Sequence, residues 1–228
     1  MYKRQAWVGV PAMTAPARLL AEKLEVRRSQ RVEALERRAD GWHLRGDGIE
    51  AGAYDAVVVA VPAEQAAVLL RPVSEFLSRR AADTPTDPCW TVMARFATRL
   101  PIAVDVVRNA GAIVWAARNS AKPGRGGPEC WVIQAGPEWS RAHLEEAPEA
   151  VQAALPGLLG SALGVELPAP ETVAAHRWRY ARSGREGSGH LWDAAARLGV
   201  CGDWLLGARV ECAWLSGAGL AAAIGSAG

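Results

Sequence analysis

The chain has 228 residues, half of them apolar, and 26 Lys and Arg against 24 Asp and Glu give it a net charge of +2. That length and composition suffice for one large or two small domains with a genuine core. The near-neutral, scattered charge argues against a nucleic-acid partner, and the most apolar run, 212–224, is too short to span a bilayer. Cys89, Cys130, Cys201 and Cys212 show no C-x-x-C spacing, so reduced thiols in a cytoplasmic protein are expected and no metal site is. Arginine outnumbers lysine and alanine is abundant, as in a GC-rich bacterial gene.

Met1-Tyr2-Lys3-Arg4-Gln5 back-translates as the end of a transposon adapter used in sequencing libraries. Residues 1–5 are therefore read as adapter-derived, with the natural chain expected to start upstream; the alternative is an ordinary basic N-terminus. The spacing of Ala17, Leu20, Ala21 and Leu24 predicts a helix over 14–24, with Thr14 as its N-cap. Residues 25–29 and 31–37 alternate in character. Gly41 turns the chain, 42–45 is a short strand, and Gly46-Asp47-Gly48 signals a hairpin turn. Residues 54–62 read as a continuous apolar strand of the doubly buried, parallel kind, ended by Pro62 and followed by a helix over 63–70.

Thr84-Pro85-Thr86-Asp87-Pro88 marks a domain crossing. Strands are predicted at 89–98, 113–117, 130–135 and 171–180. Residues 139–164 read as helix interrupted near Pro148 and Pro156, which puts helices on one side of a sheet. A Gly- and Ser-rich loop, 183–189, leads back to the first domain. The Gly124-Arg125-Gly126-Gly127 run follows Pro123 rather than a first strand, so it reads as a loop and not as a phosphate cradle. No G-x-S-x-G is present to support a hydrolase.

The densest signal is near the end. An apolar strand, 198–201, runs into Gly202-Asp203, then a Gly207 loop, then a helix whose small residues Ala213, Gly217 and Ala221 stand four apart. This spacing predicts a close helix–sheet contact through that stripe. The helix N-terminus, at Arg209 and Val210, offers N–H groups and the positive dipole end to a ligand oxygen. Asp203 stands at the carboxyl end of its strand, where open α/β sheets bind ligands; the alternative is a turn cap.

The pattern G-D-W-x-x-G-x-x-V-E-x-A-x-x-S-G resembles the C-terminal FAD segment of flavin-containing amine oxidoreductases. With P-C-W, W-x-A-R-N-S-x-K-P-G-R, P-E-W-S-R-x-H-L and H-R-W-R-Y-A, it is most similar to the bacterial renalase-like branch. The resemblance covers nearly everything from Ala6 onward, but the strand, G-x-G-x-x-G and helix that open such enzymes are missing. It implies an α/β fold: an incomplete, Rossmann-like FAD-binding domain (6–82 and 183–228) with an inserted substrate domain of mixed β-sheet plus helices (83–182). It further implies FAD as cofactor, a small-molecule substrate, and an oxidation of a dihydronicotinamide-type or amine substrate with hydride transfer to flavin and oxygen as acceptor.

The cofactor-binding candidates under that resemblance are Val32, through its backbone to adenine, Ala60 near the adenosine diphosphate half, and Gly202, Asp203, Gly207, Arg209 and Val210. The catalytic candidates are Asn119, beside Arg118 and Ser120 at a strand end, and Trp178; Trp115 and Trp90 are further ring-stacking candidates. Solvated turns and core packing are the alternatives for these. His176, set among arginines, reads as structural. The flavin carries the hydride chemistry, so few acid–base groups are needed. A different reading is a non-catalytic domain that binds a planar ligand or a partner through a Trp-rich face; ten Trp against two Phe keep it open.

Overall fold

The computed structural model describes residues 7–182, 187 and 189–226. Residues 1–5 and most of the 183–189 loop lie outside the described residues. In chain order the elements are α1 (Ala15–Ala21), β1 (Ala34–Arg38), β2 (Gly41–Arg45), β3 (Val57–Val59), α2 (Ala63–Leu70), α3 (Glu75–Ala82), β4 (Asp87–Phe96), β5 (Val106–Ala110), β6 (Ile113–Arg118), β7 (Glu129–Ala135), α4 (Pro137–Ala142), α5 (Pro148–Leu163), β8 (Thr172–Arg182), β9 (His190–Asp193), β10 (Leu198–Cys201) and α6 (Val210–Ser226). Two compact units result. One contains the chain up to Val26 and Pro88–Arg179; the other contains Arg27–Asp87 and the chain from Tyr180. The α1 segment thus groups with the middle of the chain. Arg125 holds it there, donating from Nε to the Pro11 carbonyl at 3.1 Å and from Nη2 to the Gly9 carbonyl at 2.9 Å.

The first unit is built on a five-stranded sheet of order β5-β6-β7-β4-β8, with β5-β6-β7-β4 paired antiparallel. Alternation along β4 sends Trp90, Val92, Ala94 and Phe96 to one face, where they pack with Ile133 and with Val151, Leu155 and Leu159 of α5. Each such aliphatic side chain contributes about 1.5–3 kcal/mol on burial. Pro148 begins α5, which suits the first helical turn, and Gly164 ends it in the left-handed region at φ +66°. The expected interruption at Pro156 does not occur: the helix runs through it, carried by the buried stripe 151–155–159. Thr14 occupies the N-cap position of α1, but its side chain makes no capping bond.

A buried ion pair closes the sheet's far end. Arg118, 1% exposed, donates from Nε to Glu129 Oε1 at 3.0 Å and from Nη2 to the Ile102 carbonyl at 2.8 Å, and also binds Asp105. Glu129 Oε1 further accepts the Trp131 indole N–H at 2.8 Å and the Leu100 amide at 3.2 Å. Burial alone would raise the Glu129 pKa, but these donors and the guanidinium outweigh it and hold the carboxyl below its ordinary value.

The second unit combines an antiparallel β1–β2 hairpin with a three-stranded sheet of order β3-β10-β9, where β3 and β10 are parallel. Trp42 is buried and its indole donates to the Ala196 carbonyl at 2.9 Å. On α2 and α3, Ala63, Ala66, Leu70, Leu77 and Ala81 build the core with Leu198 and Val200. Helix α3 and strands β5 and β9 were not among the predicted elements. Strand β3 is shorter than predicted and is not doubly buried: among the described residues it pairs only with β10, and Val58 is 43% exposed. The predicted contact stripe on α6 is also corrected. Ala213 and Ala221 are exposed, and the buried face is Cys212, Ser216 and Leu220. The close approach instead comes from two other glycines. A Cβ on Gly199 would lie 3.0 Å from Leu220 Cδ2, and one on Gly219 would lie 2.8 Å from His190 Nδ1.

Candidate functional site

The carboxyl ends of the parallel strands β3 and β10 define the site. Past Cys201 the chain is extended at Gly202, where a side chain would stand 2.6 Å from Trp204 Nε1 and 2.7 Å from its Cδ1. Glycine therefore lets the Trp204 ring tuck under the loop. That indole is buried and donates to the Val61 carbonyl at 3.1 Å, tying the end of β10 to the end of β3. The Gly202 amide donates to Ser216 Oγ at 2.9 Å, which fixes α6 against the loop. A 3-10 turn, Asp203–Leu205, follows, and the Asp203 carbonyl accepts from Leu206 and Gly207. Gly207 sits at φ +148°, outside the usual range for a side-chain-bearing residue.

The fold thus brings Ala60, Gly202, Asp203, Gly207 and Val210 to one end of the small sheet. Ala60 is exposed one residue past β3. Asp203 is half-buried, and its carboxylate has no hydrogen-bond or ion-pair partner among the described residues. Val210 is 84% exposed and opens α6, so its amide and that of Glu211 have no intrahelical acceptor. The Arg209 amide is not available in the predicted way: it donates to the Gly207 carbonyl at 2.7 Å inside the tight turn. The Arg209 side chain is exposed and reaches Cys212 Sγ at 3.6 Å. Burial pushes the Cys201 thiol pKa up, which keeps that sulfur protonated and unreactive. Val32 lies beside the β1–β2 hairpin, half-buried against the same unit's core.

Asn119 and Trp178 belong to the other unit. Asn119 begins a 3-10 turn after β6, and its Oδ1 accepts from Arg125 Nη1 at 2.6 Å, so it helps hold the loop that clamps the α1 segment. Trp178 is 52% exposed on β8 and meets His176 edge-on at 4.4 Å. Trp90 is removed from the stacking candidates: it is buried, with its indole donating to the His143 carbonyl at 2.8 Å.

Three further residues shape the site. Ser216 and Trp204 lie inside the recognised motif, yet nothing in their spacing shows that they hold the Gly202 turn. Glu64, just past β3, accepts from the Thr86 amide and hydroxyl on Oε1, while its Oε2 is buried without a partner. A buried oxygen left without a partner is rare in a folded chain and leaves polar capacity on α2 beyond β3.

The fold is α/β, with the glycine turn and the start of α6 at the carboxyl ends of two parallel strands. The family model of flavin-containing amine oxidoreductases matches residues 1–225, and the chain belongs to that family. Its cofactor is FAD. Among solved structures, the chain is similar to a protoporphyrinogen oxidase candidate from Exiguobacterium sp. 255-15, at TM-score 0.72 and 17% identity over 93% of this chain and 51% of that one. It is similar to cyclohexylamine oxidase from Brevibacterium oxydans IH-35A at TM-score 0.60 and 15% identity, covering 85% of this chain and 47% of that one. A putrescine oxidase redesigned in its cofactor binding gives TM-score 0.63 and 15% identity, covering 86% and 48%. The chain spans about half the length of these solved structures. At such identities the likeness speaks for the fold alone.

The residues present fit the flavin end of FAD: a Cβ-free turn at Gly202, an unpaired carboxylate at Asp203 and open amides at Val210 and Glu211. Among the described residues there is no strand, G-x-G-x-x-G and helix in sequence to cradle a pyrophosphate. No described helix is long and apolar enough to cross a membrane.

Proposed function

We propose that this chain is the later part of a renalase-like, FAD-dependent oxidoreductase that oxidises a dihydronicotinamide-type or amine substrate, with oxygen as acceptor. The carrying observation is the unpaired Asp203 carboxylate beside the open start of α6, at the ends of two parallel strands. The half-length coverage of the solved relatives supports the reading as a part. In this reading the FAD-binding portion is 6–82 with 183–228, and 83–182 is the substrate portion.

Bound FAD supplies hydride acceptance. The chain's own residues bind and orient. Asp203 accepts a hydrogen bond from a cofactor hydroxyl. The Val210 and Glu211 amides donate to the flavin pyrimidine edge, where negative charge grows on reduction; the helix dipole adds to that field. Gly207 keeps the turn tight enough to aim those amides. Val32 meets the adenine through its backbone, and Ala60, without bulk, borders the diphosphate half. Asn119 and Trp178 orient the substrate. Four thiols outside any disulfide support a cytoplasmic setting.

The test is FAD titration of wild type and Asp203→Ala, read by flavin absorbance. Losing one charge-assisted bond weakens retention by about 1.5–3 kcal/mol. Equal affinity in the two proteins removes Asp203 from the site. Asn119→Ala and Trp178→Ala should keep their flavin but slow its anaerobic reduction by a dihydropyridine, by up to about a hundredfold. Wild-type reduction rates in both would make these residues structural.

A further inference from the structure

The last two residues of the Gly124-Arg125-Gly126-Gly127 run, which the FAD reading leaves unused, line a polar cavity of about 400 Å³ in the first unit. Gly127 sits at φ +120°, where residues with side chains rarely go. A Cβ on either Gly126 or Gly127 would meet no atom within 4 Å, so the backbone there borders open space. Neither amide donates to a backbone carbonyl among the described residues.

The other walls carry Thr98, Arg99, Ser120 and Glu129. The Thr98 and Ser120 hydroxyls make no hydrogen bond among the described residues. Arg99 Nη2 lies 4.0 Å from Asp105 Oδ1, an oxygen already bound by Arg118, so the Arg99 charge is the least committed on this wall. Arg118 itself is spent on Glu129, Asp105 and the Val104 and Ile102 carbonyls. Glu129 is different. Its side chain is 6% exposed, and its three hydrogen bonds all fall on Oε1, inside the network described above. Oε2 accepts none among the described residues and is not a fully buried atom, so it keeps access to the cavity that Glu129 lines. The carboxyl is held below its ordinary pKa, so at neutral pH Oε2 can only accept.

Several donors around one fixed acceptor suit an oxyanion that still carries a proton. We infer that this cavity binds hydrogen phosphate, its P–OH donating to Glu129 Oε2 and its other oxygens accepting from Arg99, Ser120, Thr98 and the Gly126 and Gly127 amides. Sulfate has the same shape but no proton at neutral pH, and it would set an oxygen lone pair against the carboxylate. A bare cation would satisfy Oε2 and leave every donor unmet. The inference does not rest on the flavin reading and concerns only the first unit.

The experiment is calorimetric titration of the purified chain at constant ionic strength, with inorganic phosphate, arsenate, sulfate, glycerol phosphate and glycerol as probes. Phosphate and arsenate should bind on the order of tenfold tighter than sulfate, since one charge-assisted hydrogen bond separates them. Glycerol phosphate should also bind less tightly than inorganic phosphate at about pH 7.5, because a phosphomonoester has lost its second proton above about pH 6. Arg99→Gln should weaken phosphate on the order of tenfold, and Ser120→Ala by less, without changing the order of the probes. Glu129→Gln puts a group that can donate where only an acceptor stood, so the preference for phosphate over sulfate should vanish. If that protein does not fold, Arg99→Gln and Ser120→Ala decide the matter, since both side chains lie at the cavity wall and outside the core. The inference is overturned if sulfate or glycerol matches phosphate, if glycerol phosphate binds as tightly as the free ion, if Arg99→Gln is without effect, or if phosphate does not bind at millimolar concentration.

Discussion

The two units settle their buried polar groups in opposite ways. In the unit built on β4–β8, Arg118, Glu129, Asp105, the Trp131 indole and the Leu100 amide satisfy one another in a closed network. In the unit built on β3, β9 and β10, Glu64 Oε2 and Trp192 Nε1 are buried without partners, and Asp203 stands unpaired. Large apolar side chains are exposed in both units, Phe76 at 67% and Val210 at 84% in the second, Trp7 at 92% and Leu19 at 68% in the first, so it is the buried polar groups that differ. A unit that closes its own buried hydrogen bonds is self-sufficient as a scaffold; one that leaves buried donors and acceptors open has polar capacity to spare. That contrast supports the proposal that cofactor contacts lie on the second unit.

Removing one member of the closed network is the strongest way to break the comparison. Glu129→Gln leaves a buried guanidinium with its main partner gone, which costs about 3–5 kcal/mol. Urea unfolding of the first unit would show it, and replacing Arg118 with Met in the same protein should recover part of the loss. The pH dependence follows from the lowered Glu129 pKa. Its folded value lies below the unfolded one, so the stabilisation is complete above the ordinary carboxylate range, near about 4.3, and disappears as pH falls through the folded value. The gap between wild type and Glu129→Gln should therefore close on acidification. A gap that stays constant to low pH would mean that Glu129 acts by packing alone.

A smaller effect is expected at the open site. Gly202→Ala drives a methyl to within 2.6–2.7 Å of the buried Trp204 ring. Overpacking of this kind costs about 1–3 kcal/mol. It should also disturb flavin binding, because the same ring ties β10 to β3 through the Val61 carbonyl. Thermal melting and FAD titration check the two consequences together. If Gly202→Ala melts like wild type, the turn has slack, and glycine is there for the ligand's sake only.

How much of this could be read in the sequence differs between the units in the same sense. The β10–Gly202–Asp203–α6 element was legible because strand, glycine turn and helix are local and punctuated. The face of α6 was not. Its run of Ala and Gly offers small residues at helical spacing on several sides, and the choice of Cys212–Ser216–Leu220 depends on Gly199 and His190, which periodicity cannot see. The edge position of β3 was equally hidden, since a run of valines reads alike with one neighbour or two. In the first unit the strands with clear alternation were found, and β5, which has a single buried residue, was missed. The Arg118–Glu129 pair gave no signal either, because a charged residue at a strand end looks the same solvated or buried.

The surface offers the mildest test, through a carboxylate that resembles Glu129 in chemistry and differs in setting. Glu145 receives Arg179 Nη1 on Oε1 at 2.8 Å, Arg179 Nη2 on Oε2 at 3.1 Å and Arg177 Nη1 on Oε2 at 2.9 Å. The hydrogen bond from Arg179 leads the causes that hold its pKa below the ordinary value, as guanidinium donors help to do for Glu129. Its side chain is 69% exposed, however, against 6% for Glu129. Water already solvates both partners, and salt screens what attraction remains. Glu145→Gln should thus melt within the replicate scatter of wild type, and raising salt to about 0.5 M, where the screening length is only a few ångströms, should erase any difference. The Glu129→Gln deficit should survive the same salt, because ions do not reach a buried pair. Were Glu145→Gln to destabilise the protein as much as Glu129→Gln, burial would not be what distinguishes the two carboxylates. The closed network would then lose its standing as the feature that sets the first unit apart.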